Sequence, residues 1–217
     1  MCGICGAASS NPPEDLEARV AKMNLAMVHR GPDSQGQFSD NRGAIAIRRL
    51  AVIDVMTGDQ PIPNEDSTLW VIQNGEIYNY PELTQELERL GHRFKTRSDT
   101  EVIVHAYEQY GTGAAEKLQG MFALAIYDTR DGSFYFARDR FGEKPFFYFC
   151  YDHTLVFSSD PRSLLEWPEV SRRVNREALG YYLRVGLVPS PLTLLEGVYE
   201  LPPGHWMLWR AGETIVR

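Results

Sequence analysis

The chain has 217 residues, 43% of them hydrophobic and 12% aromatic, and carries a formal net charge of −7. That is long enough for one large domain or two small ones with a sizeable core, and the acidic balance argues against a nucleic-acid partner or a polybasic membrane patch. No apolar run approaches the roughly 20 residues of a membrane helix, and the N-terminus lacks the basic start and long apolar core of a signal peptide, so the expected compartment is the cytoplasm.

Cys2 to Ala8 reads as a short buried strand. Pro12-Pro13 leads into a predicted helix from Pro13 to about Val28, because Leu16, Val20, Met23 and Met27 recur at helical spacing. HRGPDSQG, residues 29–36, stops that helix with Gly and Pro and reads as a loop. Ala44–Ile47 and Leu69–Gln73 are predicted strands. Leu83, Leu87 and Leu90 give one apolar face to a helix starting near Pro81, with Gly91 just past its end. Thr100–Tyr110 is a second helix, with Asp99 at or beside its N-cap. From Met121 to Ser158 the segments FALAIYD, FYFARD, FFYFCYD and TLVFSS read as a β-meander. Asn175–Leu183 is a predicted helix, and Tyr199–Arg210 a predicted hairpin around Pro202-Pro203-Gly204. Early strands separated by helices, then a strand-rich second half, indicate an α+β layered fold rather than regular βαβ units.

Common signatures are missing: there is no G-x-G-x-x-G after a strand, no P-loop, no G-x-S-x-G and no H-E-x-x-H. The five histidines are scattered, so no metal site is expected. The chain opens MCGICG, and three cysteines, Cys2, Cys5 and Cys150, leave at least one thiol free. A Cys2–Cys5 redox or metal pair lacks a second CxxC or a histidine pair nearby. In the other reading, Met1 is removed and Cys2 carries both a thiol and a free α-amine. An α-amine has an unperturbed pKa of ~7.7–8.0 and serves as the nucleophile's own general base, with no separate histidine.

Further segments supply what such a nucleophile needs. Arg49, in RRLAVID, is able to grip a carboxylate. QNGEIYNY places the Asn74 amide and the Gly75 N–H where they could form an oxyanion hole, with Glu76 beside them for a cation; its simpler reading is an Asn-Gly turn. Asp99, in RSDTE, is able to bind an ammonium, cap a helix, or both. Arg30 and the glycines of HRGPDSQG are candidates for the pocket wall, or for a plain surface loop.

MCGICG, HRGPDSQG, RLAVIDVMTGDQPI, NGEIYNY, SDTEVIVHAYEQYG, GMFALAIYD and ARDRFGEKPFFY stand in family order and resemble the glutaminase domain of glutamine-hydrolysing asparagine synthetase, with LPPGHWMLW resembling that domain's end. This is a class II glutamine amidotransferase of the N-terminal-nucleophile hydrolase type. The resemblance covers nearly the whole chain, taken as one domain over residues 1–217. It implies a four-layer αββα sandwich with two stacked, mostly antiparallel sheets. It implies Cys2 as nucleophile, Arg49 on the α-carboxylate of L-glutamine, and Arg49, Leu50, Ala51, Val52 and Ile53 lining the site, partly through backbone. Asn74 and Gly75 would form the oxyanion hole, and Glu76 and Asp99 would hold the α-ammonium.

Cys5 stands where the family usually has an apolar residue, and Ala51 where serine is frequent. The SGGxDS-type nucleotide loop of the synthetase domain is absent, so no cofactor is expected here; ATP and Mg belong to a synthetase domain, on the same longer chain or a separate subunit. A homodimer stays open. The alternatives are the glutaminase half of another amidotransferase, a catalytically silent scaffold domain, and a redox or metal protein built on Cys2 and Cys5.

Overall fold

The computed structural model describes every residue from Met1 to Arg217. In chain order the elements are β1 (Gly3–Ser9), α1 (Leu16–Leu25), β2 (Ser34–Ser39), β3 (Gly43–Arg49), β4 (Ile62–Pro63) and β5 (Leu69–Ile77). Then come α2 (Tyr80–Arg89), α3 (Glu101–Tyr110), a 3-10 turn at Gly111–Gly113, α4 (Ala114–Lys117), β6 (Gly120–Asp128) and β7 (Ser133–Arg138). The last third holds β8 (Phe147–Tyr151), β9 (Thr154–Ser158), α5 (Pro161–Leu164), α6 (Arg176–Val185), β10 (Val198–Glu200), β11 (Trp206–Arg210) and β12 (Glu213–Val216). No helix is long and apolar enough to cross a membrane.

The strands form two six-stranded sheets, ordered β10-β8-β9-β1-β3-β2 and β12-β11-β7-β6-β5-β4. Every pairing between them is antiparallel. Alternation along the strands explains the stacking, since successive side chains leave opposite faces. In β1, Ile4 and Ala8 join a buried cluster between the sheets, while Cys5 and Ala7 join Leu16, Val20 and Met23 of α1 and Leu164 of α5. In β6, Ala123, Ala125 and Tyr127 face the other sheet. Phe122, Leu124 and Ile126 meet the apolar sides of α2, α3 and α4 instead. Three apolar interfaces therefore separate four layers, and the expected αββα sandwich is observed.

The aromatic centre lies between the sheets. Phe157 packs 4.9 Å from Phe136 and 5.5 Å from Phe146, centroid to centroid, with the Phe146 ring nearly parallel to it. Such pairs add to the free energy of burial.

Several predicted elements change. The predicted first helix, from Pro13 to Val28, contracts to Leu16–Leu25 and is followed by turns as far as Arg30. β2 takes up the end of the predicted loop as an edge strand: SQGQFS has little apolar alternation and is held by its backbone register with β3. Asn74-Gly75 makes no turn, because β5 continues through Ile77. The meander splits: β6–β7 is a hairpin of one sheet and β8–β9 a hairpin of the other. Between them Arg138 donates to the carbonyls of Gly142, Lys144 and Leu201, all at 2.7 Å. Asp139 accepts from the N–H groups of Phe141, Glu143 and Lys144. This polar knot turns the chain from one layer to the next. The segment at Pro202-Pro203-Gly204 likewise crosses between sheets, and β11 pairs with β7 and β12 rather than with β10.

Truncating Phe157 to Ala should leave a cavity where three aromatic rings meet. The expected loss is about 3–5 kcal/mol of unfolding free energy, read as a lower urea midpoint with an unchanged m-value. A loss below about 1 kcal/mol would contradict the placement of this ring at the inter-sheet centre.

Candidate active site

Cys2 precedes β1 by one residue and shares the parity of Ile4, so its side chain is directed toward the inter-sheet space, where it packs against that core. β1 pairs with β3, with Gly3 opposite Arg48, which brings Cys2 beside the end of β3. The Leu50 N–H donates to Cys2 Sγ at 3.4 Å, and the thiol lies 3.6 Å from the Leu50 carbonyl oxygen. Cys5, three positions on, leaves the opposite face. It is fully buried against α1, and burial pushes its thiol pKa up. An odd offset on a strand separates the two sulfurs across the sheet, so the opening CxxC makes neither a disulfide nor a shared metal site. All three cysteines are free.

Cys2 borders a cavity of about 190 Å³. Its opposite wall is β5, where Asn74, Gly75 and Glu76 line the space. Asn74 is 1% exposed, and its Nδ2 is buried with no hydrogen-bond partner. A buried orphan donor costs about 1–3 kcal/mol, so this amide is a donor waiting for an acceptor. Gly75 has φ +156°, and a Cβ there would stand 2.0 Å from the Met121 carbonyl oxygen of β6. No other residue fits without moving backbone.

The floor is supplied by the segment entering α3. Asp99 caps no N–H of that helix; its Oδ2 reaches back to β5, accepting the Ile77 N–H at 2.9 Å and Gln73 Nε2 at 3.1 Å. Burial raises the Asp99 pKa; these two donors offset part of the effect and the Glu76 carboxylate adds to it. Gln73 is held in turn, its N–H donating to Gln60 Oε1 at 2.7 Å while Gln60 Nε2 donates to Thr100 Oγ1 at 3.0 Å. Two carboxylates, Asp99 and Glu76, thus line one cavity, and neither forms a salt bridge.

Arg49 ends β3 and is 4% exposed. Its guanidinium binds Asp59 Oδ1 at 2.8 Å and the carbonyls of Ile53 and Asp54 at 3.0 and 2.7 Å. The loop after β3 is wrapped around it, and two of the five guanidinium N–H donors stay available. Asp54 fastens this loop to the α3 side by accepting the Arg97 N–H at 2.9 Å. Leu50, Val52 and Ile53 line the cavity and Ala51 does not; the Ala51 N–H donates to Asp33 Oδ2 at 2.9 Å. Arg30, predicted for the pocket wall, lies outside the cavity lining and donates from Nε to the Cys2 carbonyl at 3.1 Å.

Of the ten residues predicted to act on or line the substrate, the structure therefore gathers nine around one space, all but Ala51, while the wall candidate Arg30 stays outside it. It adds Gln60, Thr100 and Lys144, which the sequence reading missed. Lys144 comes from the polar knot between the sheets, and only the position of the DRFGEKP segment after a strand could have hinted at it.

Two stacked antiparallel sheets between helical layers form an αββα sandwich, with Cys2 at the head of an inner strand. The fold matches glutamine phosphoribosylpyrophosphate amidotransferase of Bacillus subtilis, solved with ADP and GMP, at a TM-score of 0.69 and 20% identity, over all of this chain and 49% of that one. The family of glutamine amidotransferase domains matches residues 1–217, and the chain belongs to it. Two relatives in Bacillus subtilis (strain 168) are asparagine synthetase [glutamine-hydrolyzing] 1, 44% identical over 94% of this chain, and asparagine synthetase [glutamine-hydrolyzing] 2, 42% identical over 95% of it. Both relatives are enzymes. The chain spans about a third of their length, 33% and 28% respectively.

The raised Asp99 pKa has a definite sign. A carboxyl that holds its proton more tightly when folded lowers stability as pH rises through that window. Asp99→Asn keeps an acceptor for the Ile77 N–H and removes the charge. The ligand-free variant should melt at or above the wild-type temperature at pH 7, and the difference should shrink on acidification. A lower melting temperature at pH 7 would mean that the charge itself holds the fold.

Proposed function

We propose that the chain hydrolyses the side-chain amide of L-glutamine to glutamate and ammonia, with Cys2 as nucleophile once Met1 has been removed. The observation that carries this reading is the buried, unpartnered Asn74 Nδ2 lining the same cavity as Cys2. A tetrahedral oxyanion is the acceptor that donor lacks.

The substrate's α-ammonium is taken by Asp99 and Glu76, its charge offsetting the desolvation that raises the Asp99 pKa. Its α-carboxylate is taken by the two remaining N–H donors of Arg49. Leu50, Val52 and Ile53 shape the side of the pocket. Cys2 sulfur then bonds to the side-chain carbonyl carbon as the Cys2 α-amine receives the thiol proton. The carbonyl electrons move onto oxygen, held by Asn74 Nδ2 and the Gly75 N–H. The α-amine passes its proton to the departing nitrogen, the C–N bond breaks, and ammonia leaves. Water adds to the glutamyl thioester, the C–S bond breaks, and glutamate departs with the thiol restored. The Leu50 N–H, 3.4 Å from the sulfur, steadies the thiolate in both halves.

The ammonia is meant for an ATP-dependent synthetase domain, with ATP and Mg held by that domain's residues. The length of the relatives supports this, and so does α6. That helix is capped by Asn175 and closed by left-handed Gly186, yet buries only Ala178. Leu179, Tyr181, Tyr182, Leu183 and Val185 are exposed, an apolar surface suited to a partner domain.

Glutamate release by the purified chain, with intact mass recording the loss of Met1, tests the assignment. Cys2→Ala should abolish turnover. Asn74→Ala should lower kcat about 10²–10³-fold with little change in KM. Asp99→Asn should raise KM about 10–100-fold, the worth of a charged hydrogen bond. Undiminished turnover in Cys2→Ala would overturn the reading.

A further inference from the structure

Two of the five scattered histidines meet in space, which corrects their reading as isolated residues. His92, just after α2, and His105, in α3, have ring centroids 5.2 Å apart. Glu65, from the β4–β5 turn, and Glu108, one helical turn beyond His105, complete a group whose four ligand atoms lie within 4.8 Å of one another. None of the four borders the active-site cavity.

We infer that Glu65, His92, His105 and Glu108 form a binding site for one zinc ion, which ties α3 to the segment after α2 and to the β4–β5 turn. Three donor pairs approach the spacing zinc requires, two of them through different oxygens of Glu65. His92 Nδ1 is 3.3 Å from Glu65 Oε1, and His105 Nδ1 is 3.3 Å from Glu65 Oε2. His92 Nδ1 is 3.8 Å from Glu108 Oε2. Zinc bonds of about 2.0–2.1 Å in a tetrahedron put neighbouring ligand atoms about 3.3–3.4 Å apart. The four ligand atoms, within 4.8 Å of one another, would draw together around the ion by side-chain movement, the exposed Glu108 moving most freely.

The histidines are also oriented as ligands. Both aim Nδ1 at the common centre and Nε2 at an oxygen acceptor outside it: Gln109 Oε1 at 3.4 Å for His92 and Glu101 Oε1 at 3.5 Å for His105. Glu101 is fully buried and fixed by the N–H groups of Lys95 and Thr96 at 2.7 and 2.6 Å. Histidine ligands characteristically donate their second nitrogen to such a group, which sets the tautomer. His105 is fully buried, and neither ring nitrogen makes an aligned hydrogen bond. His105 Nδ1 stands 3.3 Å from Glu65 Oε2 without an aligned hydrogen bond, a buried ring nitrogen free to ligate a cation. The carboxylates are steadied too, Glu65 Oε1 by the Arg93 N–H at 2.8 Å and Glu108 Oε2 by Asn64 Nδ2 at 3.3 Å. Two imidazoles favour zinc over magnesium or calcium, and two carboxylates balance its charge.

The ion would stiffen the segment between His92 and α3, which carries Asp99, so its role is positional. The test is zinc competition against a chromophoric chelator, with melting curves, on the purified wild-type chain, Cys2→Ala, His92→Gln and Glu108→Gln. Wild type and Cys2→Ala should each bind one zinc, and a hundredfold excess over Kd should raise Tm by about 5–10 °C. His92→Gln and Glu108→Gln should keep their metal-free melting temperatures and bind zinc more than about tenfold more weakly. The inference is overturned if wild type binds no zinc, if binding disappears in Cys2→Ala, or if both ligand variants bind as tightly as wild type.

Discussion

β5 and β6 approach each other more closely at one end than side chains allow. A Cβ on Gly75 would lie 2.0 Å from the Met121 carbonyl oxygen, and one on Gly120 would lie 2.1 Å from the Glu76 carbonyl oxygen. Two glycines on neighbouring strands therefore permit a pairing that runs without interruption from Leu69 opposite Asp128 to Ile77 opposite Gly120. That continuity carries Asn74, Gly75 and Glu76 on a rigid strand rather than on a turn. Because β5 stacks across from β1, the same strand also sets where the Asn74 amide stands relative to Cys2. Sites held by packed strands keep their geometry better than sites held by loops.

Several polar groups around that strand are left without full partners. Asn74 Nδ2 lacks an acceptor and Gln73 Oε1 lacks a donor, while Asp99 is buried with its pKa raised. Each costs stability in the empty protein. In the proposed reaction glutamine would supply the matching groups: an ammonium for the acids, a carboxylate for Arg49, and a developing oxyanion for the Asn74 amide. Binding energy is then available where charge moves, which is the use an enzyme makes of preorganised dipoles.

Much of the fold, and most of the residues that meet at the cavity, were legible in the sequence. Cys2 behind the initiator, Arg49 at the end of an apolar run, and Asn74-Gly75-Glu76 after a strand are local patterns, and the chemistry of each residue limits what it does. The long amphipathic elements were legible for the same reason. What the sequence hid is mostly relational. A turn such as FGEKP or PPGH looks alike whether the flanking strands pair or part into different sheets, so the two layers could not be separated by periodicity. β2 has little apolar alternation to read. Gln60 acts through a chain of amides that only the fold connects, and Lys144 arrives by way of the polar knot around Arg138 and Asp139. His92 and His105 look isolated because they belong to different segments that meet only in space. Ala51, inside the same motif as Arg49, lies off the cavity lining, and its backbone N–H is taken by Asp33.

The central claim is that a covalent glutamyl group forms on Cys2 after Met1 is lost. The most direct measurement is acid quenching of the chain during turnover of glutamine, followed by intact mass and mapping of the N-terminal peptide. The account predicts a glutamyl adduct on Cys2 of a chain one methionine lighter than the translated sequence. Steady release of glutamate with no adduct at Cys2, or with an adduct confined to Cys150, would contradict it.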